Sequence, residues 1–211
     1  MIVDSVEELD APAPSATSSV ERTTVHLLPG FLSHTDIVQV VEAARDRGPW
    51  QEGRSVCEAL QCVPHDVAYS STHVALFLHR EGHFATSCPE LYERILLRMR
   101  SEQRERSDAL NIRCIELHTY TAGGGLLDPG HCDHGSVFTM SVLLSEPAGF
   151  GGGEFVTWRD EQPIAHPMSA GDAILFHSEK CHNVSTVTSG VRQSLVIEIW
   201  RHGANSTDRH S

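Results

Sequence analysis

The 211 residues read as a mainly β protein with flanking helices, an antiparallel sandwich or barrel that carries helices on one sheet. Three observations lead there. Beyond residue 110 the chain breaks into short runs rich in β-branched and aromatic residues, separated by Gly, Pro, Asp and Ser, which is the pattern of an all-β architecture. Before residue 110 two stretches repeat their apolar residues at helical spacing. Helices followed by a block of strands pack as a layer against one face of a sheet.

Taken in order, residues 1–22 are rich in Asp, Glu, Ala, Pro and Ser without hydrophobic periodicity, and are expected to be a mobile leader. The ordered domain is expected to cover 23–201. It opens on "TTVHLLPGF", a short strand ended by Pro29-Gly30. "SHTDIVQVVEAARDRG" is a helix: Ser33 can cap it, Ile37, Val38, Val40, Val41 and Ala44 form a stripe, and Gly48-Pro49 stops it. The segment from 50 to 72 carries no legible pattern. "THVALFLHR" reads as a strand and "CPELYERILLRMRSEQRER" as a second helix, with Leu91, Ile95, Leu96 and Met99 on one face and its arginines on a solvated one. The strands then follow: "IRCIELHTY", "VFTMSVLLS", "GEFVTW", "PIAHP", "DAILFH", "NVSTV" and "RQSLVIEIW". "GGG" at 151–153 marks a turn, and 202–211 a flexible tail.

Composition narrows the function. A formal charge of −12 repels phosphate backbones, so no nucleic-acid partner is expected. No apolar run is long enough to span a bilayer, and the acidic start lacks the apolar core of a signal peptide, so no membrane partner is expected either. The six cysteines form no CxxC or zinc-finger spacing, which fits free thiols and a cytoplasmic location. Oligomeric state is not legible.

The chemistry gathers around "GHCDHGS", Gly130 to Ser136. If the segment is extended, His131 and Asp133 project from one face. A third donor must come from elsewhere, and His182, just ahead of a strand, is the candidate. Two imidazoles and one carboxylate leave about three positions open on a metal, which suits non-haem Fe(II). Ten residues on, Arg192 and Ser194 share a strand face. A guanidinium fork beside a hydroxyl receives a carboxylate, and an inward Arg requires an anion. Tyr120, on the strand before His131, can add a hydrogen bond.

These elements, in this order, resemble the Fe(II)/2-oxoglutarate-dependent dioxygenases, and among them the prolyl 4-hydroxylase-like branch. The likeness runs over roughly residues 23–201. It rests on Tyr120, the His131-x-Asp133 pair, "GGGEFVTW", and "PMSAGDAILFHSEKCHNVSTVTSGVRQSL" through the distal His182 and Arg192. The resemblance implies a double-stranded β-helix (jelly roll) with the N-terminal helices on one sheet. It implies Fe(II) on His131, Asp133 and His182, and 2-oxoglutarate with its far carboxylate on Arg192, Ser194 and Tyr120. O2 is the co-reactant and ascorbate a supporting reductant. The reaction would hydroxylate an unactivated C–H of a prolyl or amino-acid-like small molecule or peptide, releasing succinate and CO2. The Asp ligand favours hydroxylation, since related halogenases replace it with a small residue. Arg192 stands where collagen-type enzymes usually have Lys.

Other residues receive plainer readings. His118 shares Tyr120's face and is a candidate for contact with substrate or a neighbouring group. His134 and His177 are bystanders, Cys132 points away from the metal, and Trp158 and Trp200 belong to the core. Two other functions fit the same fold: a non-catalytic sensor of 2-oxoglutarate or metal, and a cupin-type metalloenzyme.

Overall fold

The computed structural model describes residues 23–47, 60, 65–102, 109–128 and 130–207. The expected leader and the Gly48-Pro49 stop lie outside the described residues, as does most of the 50–72 segment.

Ser33 and Asp36 close a reciprocal cap: the Asp36 N–H donates to Ser33 Oγ at 3.1 Å, and the Ser33 N–H donates to Asp36 Oδ2 at 2.7 Å. This starts helix α1 (His34–Arg45), after a first strand β1 (His26–Leu28). Strands β2 (Val67–Ser70) and β3 (His73–Phe77) follow. A short α2 (His83–Ser87) then leads into α3 (Pro89–Arg100), whose buried face is Leu91, Ile95, Leu96 and Met99 as its periodicity demands. The β region comprises β4 (Asn111–Thr121), β5 (Phe138–Leu143), β6 (Phe150–Gly152), β7 (Phe155–Arg159), β8 (Gln162–His166), β9 (Ala173–His177), β10 (His182–Val184) and β11 (Val187–Trp200).

All pairings among the described residues are antiparallel. The large sheet runs β1-β9-β5-β11-β4-β3-β2, with β6 on the first part of β11; the small sheet runs β10-β7-β8. Strand alternation splits the large sheet into two chemistries. Ile115 and Leu117 of β4, Met140 and Val142 of β5, Leu175 of β9, and Leu195 and Ile197 of β11 pack in one apolar cluster with Ile37, Val40 and Val41 of α1 and Ile95 and Met99 of α3. The opposite face turns toward the small sheet. It carries Glu116, His118 and Tyr120 of β4, Thr139 and Ser141 of β5, and Arg192, Ser194 and Val196 of β11. The helices therefore back one sheet, as expected, and the interior between the sheets is unusually polar.

Three local expectations change. The "GGG" stretch is not only a turn, because Gly151 and Gly152 end strand β6 and pair with Ser189 and Val187. Trp200 is only half-buried: its Nε1 donates to Gly203 O at 2.8 Å and Arg113 lies over its ring. Trp158 is in the core, donating to Asn183 Oδ1 at 2.7 Å. Of the expected tail, residues 202–207 run back along the sheet. Asn205 N–H donates to Ile112 O at 2.9 Å and Glu81 N–H donates to Ser206 O at 2.7 Å. The chain beyond 207 lies outside the described residues. No helix among the described residues is long and apolar enough to cross a membrane.

Candidate active site

His131 and Asp133 sit not on a strand but in the connection between β4 and β5. Turn hydrogen bonds shape that connection: His131 N–H to Asp128 O at 3.1 Å, Ser136 N–H to Asp133 O at 3.2 Å, and Asp133 N–H across to Ser178 O at 2.9 Å. Asn183 holds the preceding stretch by donating to the carbonyls of Leu126 and Asp128 at 2.9 and 3.0 Å. His182 is the first residue of β10, as its position before a strand implied, and its N–H donates to His131 O at 3.1 Å.

The three side chains converge. His131 Nε2 is 3.4 Å from Asp133 Oδ1 and His182 Nε2 is 3.6 Å from Asp133 Oδ2. One donor atom from each lies within 4.8 Å of the others. Asp133 and His182 are buried and His131 is partly exposed. His182 Nδ1 meets Lys180 O at 3.0 Å; a carbonyl only accepts, so Nδ1 carries the proton and Nε2 turns toward Asp133. Thr139 donates to Asp133 Oδ2 at 2.7 Å. Burial by itself would raise the Asp133 pKa. The His182 charge, the hydrogen bond and charge of His131, and the Thr139 hydroxyl outweigh it and hold the carboxyl well below the usual carboxylate range. Two imidazole nitrogens and an ionised carboxylate gathered at one spot offer the mixed N and O donors that a metal ion takes up. The donor set therefore fits a divalent first-row metal.

A cavity of about 310 Å³ adjoins the triad, with Tyr120, Ser141, Phe176, Ser194 and Val196 on the large-sheet side and Leu126, Phe155 and Val184 opposite. Tyr120 and Ser194 thus both line the cavity beside the triad. Arg192 is fully buried but does not line this cavity. It stands behind Ser194, donating from Nη1 to Ser194 Oγ at 3.2 Å, lies 5.6 Å from the Tyr120 ring centroid, and borders a second cavity of about 290 Å³ with Gly153, Glu154 and His166. Its Nε has no hydrogen-bond partner. Burial lowers its pKa, with Tyr120 and Glu154 pulling the other way. An arginine keeps its charge in proteins, so a buried guanidinium with an unpartnered Nε can take a further anionic partner such as a carboxylate.

Some residues of the cavity wall escaped the sequence. His118 was singled out, but not the line it belongs to: Nε2 meets Glu116 Oε2 at 2.9 Å, and Nδ1 meets His73 Nε2 at 2.9 Å. The His73 ring is stacked between Tyr69 and Tyr120, at 4.6 and 4.1 Å. Glu116 was findable, being two residues before His118 on the same strand face. His73 was not, since only the β3–β4 register brings it opposite Tyr120. His134 and His177 take no part in the triad: His134 contacts Cys132, and His177 packs edge-on against Phe138.

No protein-family model matches the sequence. A PKHD-type hydroxylase of Psychrobacter sp. is 40% identical over 58 residues, which is 28% of this chain and only 22% of that relative. A PKHD-type hydroxylase of Delftia acidovorans is 24% identical over 197 residues, 86% of this chain and 79% of the relative. Among solved structures, a 2OG-Fe(II) oxygenase family oxidoreductase from Burkholderia pseudomallei superposes with a TM-score of 0.64 at 18% identity, over 86% of this chain and 87% of that one. A viral collagen prolyl hydroxylase from Paramecium Bursaria Chlorella virus-1 gives 0.59 at 18%, over 88% and 100%. The chain is thus a sequence relative of the PKHD-type hydroxylases with the jelly-roll fold of the 2OG-Fe(II) oxygenases, matching the superfamily and the prolyl hydroxylase-like branch that its motifs resemble.

Proposed function

We propose that the protein is an Fe(II)- and 2-oxoglutarate-dependent dioxygenase that hydroxylates an unactivated C–H of a prolyl or amino-acid-like group, in a small molecule or a peptide. The observation that carries this reading is the convergence of His131, Asp133 and His182 beside a cavity whose Ser194 wall backs onto a fully buried arginine with an unpartnered Nε. The likeness to PKHD-type hydroxylases and to a collagen prolyl hydroxylase supports the prolyl-like substrate class.

In this reading the triad holds Fe(II), and Arg192 receives the far carboxylate of 2-oxoglutarate, with Ser194 and Tyr120 beside it. Fe(II), 2-oxoglutarate and O2, when bound, supply the oxidation of C–H to C–OH with release of succinate and CO2. The chain's own task is placement. Lys180 O fixes the His182 tautomer, Thr139 orients the Asp133 carboxylate, and both keep lone pairs directed at one point. Ser194 steadies the guanidinium fork. Leu126, Phe155, Phe176 and Val184 form an apolar wall that excludes water and holds the reacting carbon close.

The test is anaerobic. Metal-free protein receives Fe(II) and is titrated with 2-oxoglutarate while the visible charge-transfer band of the chelate is followed, with Arg192→Ala in parallel. A band that saturates in the wild type and weakens in the variant is expected. Substrate screening by succinate release, with prolyl peptides and free amino acids as separate arms, then decides the substrate class. Absence of the band in folded, iron-loaded protein would remove the cosubstrate from the reading.

A further inference from the structure

Cys132 stands between the first two members of the triad, and Cys181 immediately precedes the third. The His182 N–H donates to His131 O at 3.1 Å. That bond sets residue 131 beside residue 182, so Cys132 and Cys181, the next residue inward on each segment, are neighbours. The contact does not continue as a ladder, because Asp133 N–H goes to Ser178 O and not to Lys180 O. A disulfide needs Cα atoms roughly 4.4–6.8 Å apart, a spacing that neighbouring segments joined by a backbone hydrogen bond can meet. The side chains agree with the backbone: burial pushes the Cys132 thiol up to about 11, and the neighbouring Cys181 thiol adds to that rise. Both residues are partly exposed, whereas Cys88 and Cys114 are buried. Cys57 and Cys62 lie outside the described residues.

We propose that Cys132 and Cys181 form a thiol-modification site that closes to a disulfide by exchange with a low-molecular-weight disulfide, and that closure competes with metal binding at the adjoining triad. One cysteine sulfur gives up its proton and attacks a sulfur of the small disulfide; that S–S bond breaks and one small thiol leaves with the proton. The second cysteine sulfur attacks the mixed disulfide and expels the second small thiol. Two protein thiols are oxidised to one S–S bond, and one small disulfide is reduced to two thiols.

The competition is geometric. The two sulfurs must close to about 2.05 Å, and Cys132 must leave Gly130 O, which it meets at 3.2 Å. His131, Asp133 and His182 are the covalent neighbours of the moving residues, and a metal site tolerates errors of only about 0.2 Å in its donor distances. This second half rests on the triad being a metal site; the thiol pairing does not.

The full chain would be equilibrated anaerobically in mixtures of reduced and oxidised glutathione of graded ratio, with and without Mn(II). Remaining thiols would be alkylated and the peptides weighed. The expected first disulfide joins Cys132 to Cys181. Bound Mn(II) is expected to shift its midpoint at least about tenfold toward oxidised glutathione, and by reciprocity the oxidised chain binds Mn(II) weaker by the same factor. Cys181→Ser is expected to bind Mn(II) as the reduced wild type does, at every glutathione ratio. No Cys132–Cys181 peptide at any ratio, or preferential pairing of other cysteines, overturns the site. A midpoint indifferent to bound Mn(II) overturns the competition. Failure of the reduced chain to bind Mn(II) refutes the metal reading itself, while the cross-linked peptide still decides the thiol pair.

Discussion

Thr139 Oγ1 donates to Asp133 Oδ2 at 2.7 Å and lies 2.9 Å from Ser178 Oγ, which ties the triad's only carboxylate to β5 and to the end of β9. Asp133 reaches the site from an irregular connection, so this bond rather than strand geometry sets its orientation. Thr139→Val keeps the shape and removes the donor. Loss of an orienting partner of this kind costs roughly 10–100-fold in metal affinity. Calorimetric titration with Mn(II) or Co(II) reads it directly, and an unchanged affinity would show that the hydroxyl does not orient the carboxylate.

Arg192 combines complete burial with an unpartnered Nε, so its role and its effect on stability oppose each other. Arg192→Met keeps most of the volume and removes the charge. Binding of 2-oxoglutarate to the metal-loaded protein should weaken by roughly 30-fold or more, the loss typical of removing one partner of a buried charge pair. The thermal midpoint of the ligand-free protein should hold or rise, because a fully buried cation with an unpartnered Nε is costly. A variant that melts much lower yet binds 2-oxoglutarate normally would make Arg192 a structural residue.

The Asp133 carboxyl titrates below its ordinary value, chiefly because the charge of His182 and the bond and charge of His131 overcome its burial. A carboxylate with a depressed folded-state pKa contributes stability that is fully present above the unfolded value of about 3.9. That contribution is lost as pH falls below it toward the folded value. Metal-free wild type should therefore exceed Asp133→Asn in stability near pH 5, and the gap should narrow steadily toward pH 2. Thermal melts of both proteins across that range give the gap, and one that widens on acidification would reverse the assigned sign.

Glu116 is fully buried and accepts from His118, which in turn meets His73. Glu116→Ala leaves two buried imidazoles without their terminal acceptor, at a cost of about 1–3 kcal/mol. Glu116→Gln keeps an acceptor oxygen and should recover much of that loss. Denaturant unfolding of the two variants separates them, and equal losses would assign the cost to packing rather than to the hydrogen bond.

What the sequence made legible followed periodicity and local chemistry. The α1 cap, the buried stripe of α3 and the alternating strands 111–200 each depend on residues a few positions apart, and each stands as read. The triad was legible because two of its members are two residues apart and the third precedes a strand. The position of Arg192 was only half legible. Alternation put it on Ser194's face, but whether it lines the triad's cavity or stands behind Ser194 depends on how the two sheets close, which no short pattern encodes. His73 and Tyr69 were invisible for the same reason, since register alone carries them to Tyr120. The Cys132–Cys181 contact joins residues 49 apart through a single backbone hydrogen bond, and each cysteine alone reads as inert.

Gly153 links the glycine stretch to Arg192. Its φ is +70°, and a Cβ placed there would sit 2.8 Å from Arg192 Cδ and 3.1 Å from Val187 Cγ2. Gly153→Ala therefore does two things: it strains the backbone by about 1–2 kcal/mol and pushes against the stem of the arginine. Gly30 separates the two effects, because its φ is +58° and a Cβ there meets nothing within 4 Å. Both alanine variants should lose stability from the backbone strain, Gly153→Ala the more because of its contacts. Only Gly153→Ala should weaken 2-oxoglutarate binding, by roughly tenfold if the guanidinium loses about 1.4 kcal/mol of contact. Melting curves and cosubstrate titrations on the pair decide it. Equal cosubstrate affinity in the two variants would mean that the arginine swings clear, and that the glycine serves the bend after β6 rather than the seat of Arg192.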